Sequence, residues 1–145
     1  MKTVRWAGIA LLFFLAVSAI IGSIPMIANP GGEPWHMPQM LLQHSPFLSY
    51  LVPGIILLIA NGLLAASALW MALAQIPRYS RWMSLQGFVL FGWLVVECLI
   101  LRFVIWPHYL YGAVAIALII AGIVLWRAEN RKSPIANSGP FGDGI

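Results

Sequence analysis

Four long apolar runs, Trp6 to Ile27, Leu48 to Leu73, Met83 to Ile105 and Tyr109 to Trp126, take up most of the chain and leave short segments between them. Each is close to the ~20 residues an α-helix needs to cross ~30 Å of hydrocarbon. In that solvent every backbone N–H and C=O must be paired inside the segment, so each run is driven to be a helix. Composition agrees, since 61% of the 145 residues are hydrophobic and 8% are charged. A mean hydropathy of +0.90 is more than one water-soluble core of this length can conceal. The sequence therefore predicts an all-α, integral membrane four-helix bundle. Its helices are expected at about 6–27, 46–75, 83–105 and 109–127, with an outer loop at 28–45 and a disordered tail at 133–145. MKTVR resembles the start of a cleaved leader, but the apolar run behind it exceeds the usual ~7–15 residues and lacks an A-x-A site. A retained first helix is expected.

Charge orients this bundle. Lys2 and Arg5 precede the first run, Arg78 and Arg81 separate the second and third, and Arg127, Arg131 and Lys132 follow the fourth. Positive residues collect on the cytoplasmic side of short loops, so all seven share that side if both termini are inside, an N-in/C-in topology. Only Arg102 falls towards the other face, from which its long side chain can snorkel to the headgroups. Trp6, Trp70, Trp82 and Trp126 mark the inner boundary and Trp35 and Trp106 the outer one, leaving Trp93 mid-membrane. The net charge of +4 is dispersed between apolar runs rather than gathered on one face, which argues against nucleic acid. A lone cysteine, Cys98, excludes an internal disulfide and paired-thiol redox chemistry.

Local signals refine the outline. WPH, Trp106 to His108, is read as the whole outer connection of a helical hairpin. Ser45 and Pro46 read as N-cap and first residue of helix two, and Pro53 is expected to kink it because it cannot donate to the Ser49 carbonyl. MPQMLLQ in the outer loop suits one or two interfacial helical turns. Small residues mark packing seams: Ser18 and Gly22 on helix one, Asn61, Ala65, Ala68 and Ala72 on helix two, Ala113, Ala117 and Ala121 on helix four.

Three polar side chains share one level. Counted from the outer helix ends at ~1.5 Å per residue, Glu97 lies about 12 Å deep and Asn61 and Ser18 about 13 Å, with Ala117 opposite. Gln86, Trp93 and Glu97, spaced by seven and four, form one stripe of helix three. Arg102 is about 140° away from Glu97 around the helix and reaches it only as a stretched charge partner. A carboxylate at mid-membrane depth costs about 2.5–3.5 kcal/mol, so it should face the bundle, carry a proton or have a partner. Glu97, Asn61 and Ser18 are therefore the candidate site, either a group that exchanges a proton or binds the polar head of a lipid-like ligand, or hydrogen-bonded glue between helices.

Glu33, His36, His44 and His108, beside Met37 and Met40, form a weak outer set of transition-metal ligands with no fixed spacing. No facing helical histidine pair suits haem, and nucleophile elbows and phosphate-binding glycine loops are absent from the sequence, so no cofactor is identified and an enzyme is not the expected class. Membrane lipids, a second copy or a partner membrane protein are the expected contacts of the outer faces.

SPFLSYLVPGIILLIANG, GWLVVE and the Tyr and Gly that open helix four resemble an uncharacterised family of small bacterial four-helix inner-membrane proteins. The likeness spans about Ser45 to Gly122. It implies one compact four-helix domain in a bacterial inner membrane, and carries over no activity and no site residue.

Overall fold

The computed structural model describes residues 1–31 and 46–136, the last four of them by backbone alone. Glu33, His36, His44, the MPQMLLQ turns, Ser45 and residues 137–145 lie outside the described residues. Four helices form the chain: α1 (Lys2–Ala28), α2 (Leu51–Leu73), α3 (Tyr79–Leu101) and α4 (Trp106–Ala136). All four are long and apolar enough to cross a membrane. They run up and down in sequence order around a ring, α1 against α2 and α4, and α3 against α2 and α4. Large apolar side chains also cover the outside, among them Phe13, Ile21, Leu63, Leu99 and Ile120, all more than half exposed. Helices that are apolar all round suit a hydrocarbon solvent rather than water.

Small residues decide how close the helices come. α2 presents Ala65, Ala68 and Ala72 to the interior, each fully buried, as its seam predicts. On α4 the expected seam is rotated: Ala113 is exposed, and the buried face is Val114, Ala115, Leu118 and Ala121. Gly87 of α3 sits against the Ala115 carbonyl and Ile119, and Gly122 of α4 sits against Ser80 and Ser84, so backbones of α3 and α4 meet directly at two levels. Gly54, beside Pro53, is buried against Met26 and Ile27 of α1 and serves close packing rather than a hinge.

The helix ends differ from the sequence reading in ways that matter for the site. α2 begins at Leu51 rather than at Pro46, with Tyr50 as N-cap. The Tyr50 N–H donates to the Pro30 carbonyl at 3.0 Å, tying the two ends of the long connection together. Pro53 thus falls in the first turn of α2, where its missing N–H has no intrahelical partner to lose, and no proline kink is needed. Instead α2 carries a π-helical turn at Leu58–Leu63. α3 stops at Leu101 because Arg102 turns left-handed (φ 58°) and donates its N–H to the Cys98 carbonyl at 2.9 Å. α4 therefore starts at Trp106, so WPH is its first turn and residues 102–105 make the connection. At its other end α4 continues to Ala136, past the expected 127 and into the segment expected to be disordered.

Candidate functional site

Ser18 and Ala19 of α1, Leu57 and Asn61 of α2, Trp93 and Glu97 of α3, and Tyr111 of α4 line one cavity of about 170 Å³. The three polar residues singled out from sequence thus meet around one space. From Leu15 to Gly22 on α1 and from Leu90 to Glu97 on α3, its walls run seven residues, about 10 Å along the axis. The wall from α4 is Tyr111, not Ala117. Tyr111 is held by stacking on Phe14, ring centroids 5.8 Å apart and planes at 21°. Because α3 ends early, Glu97 lies four residues from its terminus, about 6 Å rather than 12 Å. The carboxylate sits at the upper wall and Asn61 at the floor.

None of the three polar groups bonds directly to another. The Ser18 hydroxyl donates to the Leu15 carbonyl at 3.1 Å, leaving its oxygen able to accept. Asn61, fully buried, is held by Gln86 of α3, also fully buried. Gln86 Nε2 donates to the Ala60 carbonyl at 3.2 Å and to Asn61 Oδ1 at 3.3 Å. Ala60 lies within the π turn, where i→i+5 pairing disturbs the usual ladder and lets a side chain reach a backbone carbonyl. That carbonyl fixes both amide orientations, since only an NH₂ can face it and only an oxygen of Asn61 can then face the NH₂. Asn61 Nδ2 is left as a buried donor with no hydrogen-bond partner among the described residues. Gln86 is the residue missed as part of the site; its place on the Glu97 stripe was the signal.

Glu97 is half-buried, and its neighbour is His108 of α4, Nε2 to Oε2 3.8 Å. This corrects the expected partner, Arg102, which is exposed beyond the end of α3 and makes no ion pair with Glu97. His108 is placed by the start of α4. Its Nδ1 accepts the Ile105 N–H at 3.2 Å, while its own N–H donates to the Ile105 carbonyl at 3.0 Å. This is the N3 half of a capping box, with imidazole in the usual Glu or Gln role and the Ile105 backbone carbonyl, not a side chain, accepting in return. In the neutral ring an accepting Nδ1 puts the hydrogen on Nε2, which faces the Glu97 carboxylate. His108 also lines an apolar groove between α3 and α4 with Val95, Leu99 and Tyr109, so the Glu97–His108 pair stands between the cavity and that groove.

The cavity thus has Asn61 at its floor, a carboxylate at its upper wall and aromatic sides. Pockets for drug-sized ligands occupy about 300–1,000 Å³. This one has room for several waters or a small polar headgroup, but not for a whole amphiphile. No group of three or more His, Cys, Asp or Glu side chains able to hold a metal occurs among the described residues. Of the outer metal set only His108 is described, and it is engaged as a helix cap. The chain matches no family model, no curated protein and no solved structure.

Proposed function

We propose that this is a multi-pass protein of a bacterial inner membrane, N-in and C-in, and a small binding or transport module, or the accessory subunit of one. Its cavity takes the polar head of a lipid-like molecule or passes a proton, with Glu97 as the exchanging or binding group and Asn61 as orienting donor. The observation that carries this reading is the single cavity that brings Ser18, Asn61 and Glu97 together from three helices. An intramembrane carboxylate that lines a cavity, as Glu97 does beside His108, is where substrate and ion pathways are found. The N-in/C-in arrangement rests on seven basic residues at one end of the bundle and Arg102 alone at the other.

One comparison tests the reading: wild type and Glu97→Gln, purified for lipid analysis and reconstituted into liposomes that enclose a pH-sensitive dye. Wild type is expected to retain a stoichiometric polar lipid or to dissipate an imposed pH gradient, and the variant to lose that property while remaining folded. Identical lipid content and identical flux would remove the proposal. A second reading, of a structural or interaction protein, is favoured by the buried Gln86–Asn61 bond, which locks α2 to α3. On that reading the Glu97→Gln variant keeps every property of the wild type.

A further inference from the structure

At the basic end, the direct contact of α3 and α4 has a consequence on the outside of the bundle. Gly122 against Ser84, and Gly87 against Ala115, draw the two backbones together, so the side chains flanking the contact stand up as two walls. Arg81, Leu85 and Phe88 of α3, spaced by four and three, form one stripe; Ile123, Trp126 and Asn130 of α4, spaced by three and four, form the other. Between them lies an apolar groove of about 320 Å³, lined by Arg81, Leu85, Phe88, Ile123 and Trp126 with Ser84 at its floor. Beyond it, at the end of the bundle, is a polar pocket of about 440 Å³ that includes Arg78, Tyr79, Arg81, Trp126 and Asn130. The two spaces adjoin at Arg81 and Trp126, which line both, so a charged mouth lies next to an apolar trough.

The geometry points to a binding site for an anionic phospholipid, with its phosphate at Arg78 and Arg81 and an acyl chain along Leu85, Phe88 and Ile123. The depth suits this occupant. Phe88 lies seven residues beyond Arg81, about 10 Å further into the apolar span, so polarity falls from mouth to trough as it does along a lipid. The charge suits it as well. Two arginines face one acid, Glu129, and the Glu129 carboxylate accepts the Ser80 hydroxyl at 2.9 Å. The Arg81 guanidinium lies 5.9 Å from the Trp126 ring centroid, which holds it at the junction of the two spaces. α3 begins here with no side-chain cap and no acid in its first turn, so its positive end adds to the attraction for phosphate. None of these residues lines the cavity around Glu97, so this site stands or falls separately from the function proposed for that cavity.

Native mass spectrometry of the delipidated full chain in detergent, titrated with dioleoyl phosphatidylglycerol or dioleoyl phosphatidylcholine, tests the site. The expected result is preferential retention of phosphatidylglycerol, lowered about fivefold by Arg78→Gln or Arg81→Gln. Arg81→Lys, which keeps the charge, retains the preference and shows that the loss is not one of folding. Phe88→Ala lowers retention of phosphatidylglycerol, and glycerol 3-phosphate fails to displace it, because the acyl groove contributes. Equal retention of the two lipids would overturn the site. So would a loss in Arg131→Gln equal to that in Arg81→Gln, which would reduce it to a diffuse basic collar. Displacement by glycerol 3-phosphate at matched concentration would also overturn it, leaving an anion site without a chain groove.

Discussion

Replacing Gly122 by alanine tests whether direct backbone contact between α3 and α4 holds the bundle. A Cβ at this position meets the Ser84 hydroxyl and comes within 2.6 Å of both the Ser80 carbonyl oxygen and the Ser84 nitrogen. Ordinary contact begins near 3.4 Å, so the helices must part by about 0.8 Å, and backbone atoms cannot rotate out of the way as a side chain can. Overpacking of this kind costs about 1–3 kcal/mol, against which alanine regains up to about 1 kcal/mol of helix propensity. A net loss of about 1–2 kcal/mol is expected. Gly112→Ala is the control, because nothing lies within 4 Å of its new Cβ, and it should be neutral or slightly stabilising. Gly8→Ala discriminates further: its Cβ meets Met83 Sδ at 2.5 Å, but that is the flexible end of a side chain and can yield. Reversible unfolding in mixed micelles, followed by helical circular dichroism, ranks the variants. A Gly122→Ala protein as stable as Gly112→Ala would refute the claim that close approach at this seam organises the fold.

Gln86→Leu should cost about 1–2 kcal/mol, because the Ala60 carbonyl and Asn61 Oδ1 both lose their donor. In the same unfolding assay, Gln86→Leu combined with Asn61→Leu should cost at least about 0.5 kcal/mol less than the sum of the single changes. Strict additivity would deny the bond. His108→Leu should cost about 1 kcal/mol by stranding the Ile105 N–H, and His108→Gln, able to accept it, should recover most of that; equal losses would deny the cap. Deleting Ile59, which removes the extra residue of the π turn, leaves a regular helix whose two halves keep their faces but takes the Ala60 carbonyl back into the helix ladder and away from Gln86, and should lower thermal stability. Unchanged thermal stability of that variant would show that the turn has no structural role. A reporter enzyme fused after Lys132 should be active only on the cytoplasmic side, and an outer location would reverse the topology.

Much of this was legible in the sequence. Runs of apolar residues gave four helices, and the Glu97, Asn61 and Ser18 level was found by counting residues, although Glu97 is nearer its helix end than the count gave. The errors share a cause. Where a helix is apolar on every side, nothing in its pattern says which face is inward, and Ala113 and Ala117 looked as good a seam on α4 as Ala115 and Gly122. The outer end of α3 was misplaced because a residue other than glycine adopts a left-handed conformation there. Arg102 at φ 58° ends α3 four residues before Ile105, and sequence gives little warning of this because arginine seldom does it. That one turn brings α4 forward to Trp106 and carries His108 opposite Glu97, so the wrong helix end and the wrong charge partner are a single error.

The π turn bears on the floor of the cavity. α2 packs on α1 on both sides of the turn, Gly54 against Met26 and Ile27 and Gly62 against Ile20, and beyond the turn it packs on α3 as well. The turn at Leu58–Leu63 holds one residue more than an α-helical turn. Its cost is a disturbed backbone ladder, and Gln86 offsets that cost by donating to Ala60. The same glutamine turns the Asn61 amide so that its NH₂ is left unpartnered. A structural repair of α2 therefore leaves a buried donor at the floor of the space whose upper wall is Glu97. If repair were all that was needed, an apolar residue at 61 would cap the floor more cheaply, because a buried amide with an unpartnered donor costs about 1–3 kcal/mol.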